Sequence, residues 1–169
     1  DLAPLTAKAD ILKKCRDKVI ATYPDMAMGA EHITDLLCMY VDYTHGDGLL
    51  SMIDWFRYTF PELILSDRSI RDDTDIERRV NLTVLKGLRN DIEIFRCRGL
   101  IDETPHYQAY LAKVNALKER FSDLLLKGRF SYKDFFTSRN DKVEARSFIN
   151  GESLAIVLTS EEDKTQKTC

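Results

Sequence analysis

Glu31 and Asp67 are the residues of this chain best placed to do chemistry, because each acid follows a short apolar run. The run at 63–65 is too brief for a helix, and the run at 26–30 is similarly short, so both favour buried strands. If the strands are parallel neighbours, their carboxyl ends open on the sheet edge where α/β proteins bind ligands. Two carboxylates there can act as proton donor and as nucleophile or base. The pattern predicts that Glu31 and Asp67 share a cleft.

Four further residues near these acids could contact a substrate, namely His32, His45, Trp55 and Arg68. Trp55 opens an aromatic cluster that could stack on a flat ligand such as a sugar, or could fill a barrel mouth or domain interface. The histidines could equally be satisfied polar side chains, and they lack the spacing of a helical metal pair. Glu31 could instead be a helix cap or surface acid, and Asp67 a turn former or an ion-pair partner of Arg68.

One strand, one polar loop and one helix make up residues 60–98, which we interpret as the βα unit that organises the chain. Thr74 and Glu77 have the spacing of a capping box, which predicts that the helix starts at Thr74. Residues 8–23 show one apolar face of helical period, and residues 33–43 favour a helix that turns into a short strand.

The period of the apolar residues changes near Gly128, where a long amphipathic helix that opens at Pro105 ends. Residues 143–147 alternate as a strand does, residues 154–158 form an apolar return strand, and the Asn-Gly pair at 150–151 predicts a hairpin turn. A lone hairpin is only marginally stable in water, so these strands need a partner sheet. We therefore expect a domain boundary near residues 128–131.

These segments together resemble a known architecture. The run from residue 56 to residue 130 resembles the C-terminal end of a TIM barrel in a group of bacterial glycoside-hydrolase-like proteins, related in style to the α-galactosidase class. PDMAMGAEHITD is similar to a late barrel strand ending in an acid, and EARSFINGESLAIVLT is similar to the first hairpin of the β-sandwich that follows such a barrel. The resemblance implies an α/β fold with the C-terminal part of a (β/α)8 barrel at 1–129 and the first, incomplete strands of a β-sandwich at 130–169.

The resemblance also implies a function. A glycoside hydrolase needs two carboxyl groups roughly 5 to 9.5 Å apart, which would make Glu31 the general acid/base and Asp67 the second carboxylate or a binder of sugar hydroxyls. We expect no metal and no other cofactor. The isolated chain should be inactive on glycosides, because the earlier barrel strands would be missing. The alternatives are a non-catalytic carbohydrate-binding or scaffold protein with a degenerate barrel, and a helical interaction module with an appended hairpin.

Composition limits the remaining partners. The 169 residues, 44% apolar and 31% charged with a net charge of −3, indicate a globular chain without the basic surface that nucleic acids require. No apolar run approaches the roughly 20 residues of a membrane span. We expect carbohydrate as ligand, and the remainder of the barrel or another chain covering the exposed sheet edge.

The four cysteines are far apart, which favours free thiols, with Cys15 and Cys97 buried. The start at Asp1 suggests a trimmed piece, so the location in the cell stays open.

Overall fold

The computed structural model describes residues 3–31, 34–46, 52–68 and 72–160. This part of the chain is a mixed α/β structure with a four-stranded parallel sheet and a three-stranded antiparallel sheet. Its helices are α1 (Ala3–Thr22), α2 (Asp35–Cys38), α3 (Ile53–Thr59), α4 (Ile76–Leu85), α5 (Pro105–Arg120) and α6 (Ser122–Leu125). Its strands are β1 (Gly29–Glu31), β2 (Tyr43–Gly46), β3 (Ile64–Asp67), β4 (Arg89–Asn90), β5 (Arg129–Phe130), β6 (Val143–Asn150) and β7 (Ser153–Ser160).

The parallel sheet has the order β1-β2-β3-β4, so strands that follow one another in the chain also lie side by side. Helix α2 lies between β1 and β2 in sequence, α3 between β2 and β3, and α4 between β3 and β4. The two strands predicted from the apolar runs are confirmed as β1 and β3. The predicted helix that turns into a strand is confirmed as α2 followed by β2. The sheet is therefore a series of strand–helix repeats.

The two faces of this sheet have different surroundings. Thr44 and Leu65 lie side by side on one face and are each only 1% exposed. Cys38 of α2 and Ile53 of α3 pack in the same core cluster as Leu65, so helices cover that face. On the opposite face Tyr43 and Ile64 are paired in register and each is 45% exposed. One face is thus covered by helices, and the other lies open within the described part of the chain.

Helices α4 and α5 form a second core next to the sheet. Its buried members are Ile76, Val80, Val84, Ile94, Tyr107, Leu111 and Val114. Each fully buried side chain of this size contributes about 1.5 to 3 kcal/mol through removal of apolar surface from water. Lys118 of α5 joins this core to the sheet, since its Nζ donates to the carbonyl of Leu88 and to Oδ1 of Asn90, both at 3.1 Å. Burial lowers the pKa of Lys118 to about 8, and the nearby charge of Arg89 adds to the effect.

The predicted capping box of α4 is wrong. The helix begins at Ile76, and the residue before it, Asp75, has a left-handed φ of 52°. Thr74 donates its backbone N–H and its hydroxyl to Oδ1 of Asp72. Glu77 instead contacts Nε2 of His106 at 2.8 Å. A short side chain that hydrogen-bonds two residues ahead offers the backbone an alternative to the helix, and here that turn displaces the cap.

The same acidic loop supplies the cap of a different helix. Helix α5 begins at Pro105 as the sequence predicts, but the hydroxyl of Thr104 donates to the carbonyl of Ile101 rather than capping the helix. Asp73 accepts the backbone N–H groups of His106 at 3.1 Å and of Tyr107 at 2.8 Å. A carboxylate on first-turn amides of a helix stabilises it by about 1 kcal/mol. Asp73, which precedes α4, therefore supplies the N-terminal cap of α5.

The antiparallel sheet has the order β5-β6-β7, and the predicted hairpin is confirmed as β6 and β7. Asn150 pairs with Ser153 as the last rung of the ladder, so the two loop residues are Gly151 and Glu152. Only Gly151 of these has a positive φ, of 58°. A II′ turn needs a positive φ at its first loop residue only, and Gly151 meets this requirement. Asn150 therefore ends the strand, and Gly151 begins the turn.

Close packing at Gly87 joins the antiparallel sheet to the strand–helix repeats. Gly87 follows the C-terminus of α4 with a φ of 65°, and a Cβ atom there would lie 2.7 Å from Cε1 of Phe148 in β6. A side chain at this position would therefore be strained both by the backbone and by the ring. Phe148 is fully buried and meets Phe130 of β5 edge to face, with ring centroids 5.6 Å apart.

The cysteines differ from the sequence prediction in their exposure to solvent. Cys15 and Cys97 are free thiols but exposed, so the prediction that both are buried is wrong; Cys97 lies in a left-handed turn rather than a helix. Cys38 is buried, which raises the pKa of its thiol to about 11. Among the described helices, none combines the length and the apolar character that a membrane crossing needs.

Helix α1 is attached to the sheet by an ion pair between Arg16 and Asp42. The guanidinium donates NH1 and NH2 to the two carboxylate oxygens, each at 3.0 Å, and the Asp42 carboxylate also accepts the backbone N–H of Met28 at 2.8 Å. The hydrogen bond from Arg16 is the main reason that the pKa of Asp42 lies below its ordinary value. A carboxylate with a lowered folded pKa stabilises the fold above its unfolded pKa, and this contribution is lost as the pH falls.

We predict that Asp42→Asn lowers the free energy of unfolding at pH 7 by up to about 1 kcal/mol, because the pair is partly exposed and solvent screens it. The difference from wild type should shrink below the ordinary Asp value of 3.8. Urea unfolding followed by circular dichroism between pH 7 and pH 2 measures this. Asp17→Asn, which breaks the exposed pair with Lys13, is the control and should change little. An equal loss in both variants would contradict the assignment.

Candidate functional site

A group of charged residues lies at the carboxyl edge of the parallel sheet. We call it the edge cluster and define it as Glu31, His45, Arg68, Asp91 and Glu93. Glu31 ends β1, His45 lies near the end of β2, and Arg68 comes directly after β3. The two other acids follow β4 within three residues. In parallel α/β sheets this edge is where ligands bind, so the cluster has the expected position of a functional site.

Arg68 lies at the centre of the edge cluster. Its Nε donates to Oδ2 of Asp91 at 3.0 Å and lies 3.8 Å from Oε2 of Glu93. Its NH1 lies 3.9 Å from Oε1 of Glu31. One guanidinium therefore contacts the acid that ends the first strand and the two acids that follow the last strand of the sheet. Such a planar group can engage two partners at once in a fixed geometry, which a lysine could not reproduce.

The hydrogen bond between Arg68 and His45 fixes the tautomer of the histidine. NH2 of Arg68 lies 3.0 Å from Nε2 of His45. A guanidinium can only donate, so Nε2 accepts and the ring proton of the neutral imidazole resides on Nδ1. Nε2 of His45 and Oε1 of Glu31, which lie 3.5 Å apart, are then both acceptors, and the donor between them is Arg68. Arg68 thus orients the imidazole beside Glu31.

The side chains of the edge cluster differ in solvent exposure, which decides which of them a ligand can reach. The side chain of Glu31 is 66% exposed, whereas those of Asp91 and Arg68 are 26% exposed and that of Glu93 is 14% exposed. Burial alone would lower the pKa of Arg68, but the hydrogen bond with Asp91 and the surrounding carboxylates leave that pKa above its ordinary value. The cluster therefore presents an accessible carboxylate in front of a permanent positive charge.

Asp67 lies on the other face of the sheet. Glu31 is in register with His45, and His45 with Ser66, so these side chains share one face. Asp67 is one residue further along and therefore points to the opposite face, where it is only 3% exposed. Its charge, after burial itself, helps to raise the pKa of the buried Tyr107 to about 12. The expectation that Glu31 and Asp67 share one cleft is therefore wrong.

Asp91 occupies the position that we expected for Asp67. Its backbone N–H donates to the carbonyl of Asp67 at 3.0 Å, which continues the β3–β4 ladder by one rung. This rung puts Asp91 beside Arg68, on the face of Glu31. The sequence does not reveal it because β4 has only two residues and no apolar run. The one usable signal is Leu88 after Gly87, a buried apolar residue shortly before an acid, as at 63–67.

Trp55 is not part of the edge cluster. It lies on α3, exposed, where it lines a cleft with Tyr58 and Tyr132 rather than with the strand-end acids. The structure therefore brings His45 and Arg68 together with Glu31, as the proposed binding set requires, but separates Trp55 from them. His32, the remaining member of that set, lies outside the described residues.

The loop that carries Asp91 and Glu93 has an unusual backbone. Phe95, Arg96 and Cys97 follow one another with φ values of 46°, 58° and 62°. Three consecutive residues with side chains in the left-handed region are costly, at roughly 1 kcal/mol or more each. The turn is closed by the N–H groups at 98 and 99, which donate to the carbonyl of Ile94, itself only 2% exposed. Strain of this kind at a sheet edge is a feature of ligand sites.

No family model, no curated protein and no solved structure matches this chain. Within the described residues there is also no group of three or more side chains arranged to hold a metal ion. The positive charge between the acids is supplied by Arg68.

We predict that Arg68→Met lowers the free energy of unfolding by about 1 to 3 kcal/mol, because carboxylates of the edge cluster lose their compensating charge. Adding Asp91→Asn should recover part of this loss, since one uncompensated charge is removed. Thermal or urea unfolding of the two single variants and the double variant gives the coupling. Lys127→Met, which breaks an exposed pair with Asp123, is the control and should cost less than about 0.5 kcal/mol. Strictly additive effects would contradict the central role of Arg68.

Proposed function

We propose that the chain is the C-terminal part of a (β/α)8 barrel in a glycoside hydrolase-like protein, followed by the first strands of a β-sandwich. In this proposal the edge cluster binds a carbohydrate and its carboxylates act on the glycosidic bond. The observation that carries the proposal is the position of Glu31 and Asp91 on one face, at the carboxyl edge, on either side of Arg68.

The architecture supports a barrel over other parallel arrangements. In doubly wound sheets the strand order reverses and helices cover both faces. Here the order is sequential, and helices α2 and α3 pack on only one face of the described sheet. A barrel has both properties, because its inner face closes on itself. Tyr43 and Ile64, which are half exposed on the open face, would then point into the barrel interior. The remainder of the barrel, or another chain, would cover this face.

The shared contact with Arg68 limits how far apart the carboxylates of the edge cluster can lie. Glu31 and Asp91 both contact one guanidinium, which keeps their oxygens within the upper limit of about 9.5 Å used by glycoside hydrolases. The exposed Glu31 suits the role of general acid/base, because it can reach the leaving oxygen of a substrate. Asp91 takes the role of the second carboxylate in place of Asp67. Arg68 and His45 would bind sugar hydroxyls beside the reacting bond.

A second candidate is a non-catalytic carbohydrate-binding protein with a degenerate barrel. The observation that favours it is the contact of Arg68 with all three acids of the edge cluster. A network in which the carboxylates are already neutralised can bind hydroxyl groups without transferring a proton. Both candidates use the same residues and the same class of ligand, so they differ only in turnover.

In this proposal the chain is part of a longer protein, and the test uses that protein. Its hydrolysis of a panel of nitrophenyl glycosides is measured for wild type, Glu31→Gln, Asp91→Asn and Asp67→Asn. We expect Glu31→Gln and Asp91→Asn to lower kcat by about 10²- to 10⁴-fold, the usual contribution of a catalytic acid or base. Asp67→Asn is the matched control, and we expect it to change stability more than kcat.

The outcomes separate the candidates. Loss of turnover in Glu31→Gln and Asp91→Asn, with sugar binding retained by calorimetry, supports the hydrolase. Sugar binding that depends on Arg68 and His45, with no hydrolysis of any glycoside by wild type, supports the binding protein. A hydrolase whose kcat depends on Asp67 but not on Asp91 would overturn the assignment of the second carboxylate.

A further inference from the structure

A second cleft lies between helix α3 and the segment that follows β5, apart from the edge cluster. We call it the aromatic cleft, and its volume is about 430 Å³. It is lined by residues of both segments, namely Asp54, Trp55, Tyr58, Thr59, Tyr132 and Asp134. Three of these six side chains are aromatic and two are acidic, so the lining combines flat apolar rings with hydrogen-bond acceptors.

The rings of the aromatic cleft are accessible. Trp55 is 78% exposed, Tyr58 is 51% exposed and Tyr132 is 37% exposed. A large exposed tryptophan next to two exposed tyrosines is unusual for a surface without a partner, because exposed apolar patches mark binding sites. The ring of Tyr132 is held in place from behind, since the guanidinium of Arg146 lies 4.8 Å from its centroid. A preformed platform of this kind loses little conformational freedom when a ligand stacks on it.

The acidic side chains of the aromatic cleft are also fixed. The hydroxyl of Tyr58 donates to Oδ2 of Asp134 at 3.1 Å. Oδ2 of Asp54 accepts NH2 of Arg146 at 2.6 Å and Nε of the same residue at 3.2 Å. Oδ1 of Asp54 is buried and has no hydrogen-bond partner within the described residues. Because water cannot reach this oxygen, it is closed to a ligand as well, and the accessible acceptor of the aromatic cleft is the exposed carboxylate of Asp134.

These contacts decide which class of ligand fits. The six lining residues include two carboxylates and no basic side chain, so they offer an anion no direct ion pair inside the cleft. A cation gains little, since Arg146 at 2.6 Å and Lys86 at 3.8 Å already neutralise Asp54, and solvent screens the exposed Asp134. A neutral ligand with a flat apolar face and hydroxyl groups at its rim uses both the rings and the acceptors. Pyranose sugars have this chemistry.

We propose that the aromatic cleft is a second carbohydrate site, in which a neutral oligosaccharide stacks on Trp55 and donates a hydroxyl group to the exposed carboxylate of Asp134. The site is separate from the edge cluster and needs no catalytic group. It would hold a polysaccharide chain on the protein surface while another part of that chain is bound elsewhere. The proposal stands whether or not the edge cluster hydrolyses glycosides.

The experiment uses the intrinsic fluorescence of Trp55, which is the single tryptophan of the chain. The protein is titrated with neutral hexasaccharides of glucose, galactose, mannose and xylose, and the emission and its quenching by acrylamide are recorded. At least one hexasaccharide should shift the emission to the blue and protect Trp55 from acrylamide, with saturation in the millimolar range or below. Glu31→Gln should give the same titration, which keeps this test independent of the proposed hydrolysis.

Variants locate the binding by calorimetry with the hexasaccharide that gives the strongest signal. Trp55→Ala should weaken binding roughly tenfold or more, because it removes the main stacking surface. Asp134→Asn, which changes the accessible acceptor and leaves Trp55 in place, should weaken binding to a smaller extent. Tyr23→Ala removes a tyrosine that is 60% exposed elsewhere on the surface and is the matched control, with no expected change. Circular dichroism confirms that each variant is folded.

Three results would overturn the proposal. The first is the absence of any effect of all four hexasaccharides on Trp55 up to about 10 mM, well above weak millimolar affinity. The second is an equal loss of binding in Tyr23→Ala and Trp55→Ala. The third is a saturable response of Trp55 to tetramethylammonium but not to sugars, which would make the cleft a cation site.

Discussion

The alternation of side chains along a β-strand decides which residues of this protein can act together. A shift of one residue in a strand moves a side chain from one face of the sheet to the other. Glu31 is in register with His45, and His45 with Ser66, so these side chains share one face. The edge cluster therefore faces away from the helices. Asp67 follows Ser66 directly and lies among the helices instead. The composition of the site depends on this register more than on any single contact.

A few specific interactions then fix the charged side chains that the register brings to this edge of the sheet. Arg68 contacts Glu31 at the end of β1 and the two acids that follow β4, and a left-handed turn comes directly after that acidic segment. The acidic loop after β3 attaches α5 through Asp73. The many charged residues near this edge therefore have two roles. Some carboxylates hold helices in place, and others remain at the surface around one guanidinium.

The sequence predicted the elements of the fold better than the composition of the site. Short apolar runs at 26–30 and 63–65 correctly indicated strands, and the alternating pattern near the C-terminus correctly indicated a hairpin. These signals are local and depend on burial, which leaves a period in the sequence. The capping box at Thr74 failed because Asp72 offers a competing local hydrogen bond, an outcome that spacing alone does not distinguish. Asp91 was missed because a strand of two residues leaves no period.

The central claim is that Glu31 lies accessible at the sheet edge while Asp67 is buried on the opposite face. Carbodiimide coupling of an amine to the carboxylates of the folded protein, with the labelled sites quantified by mass spectrometry over time, tests it most directly. Glu31 should be labelled rapidly in the folded state, and Asp67 only after unfolding in urea. Labelling of Asp67 at the rate of Glu31 in the folded protein would contradict the register and the site built on it.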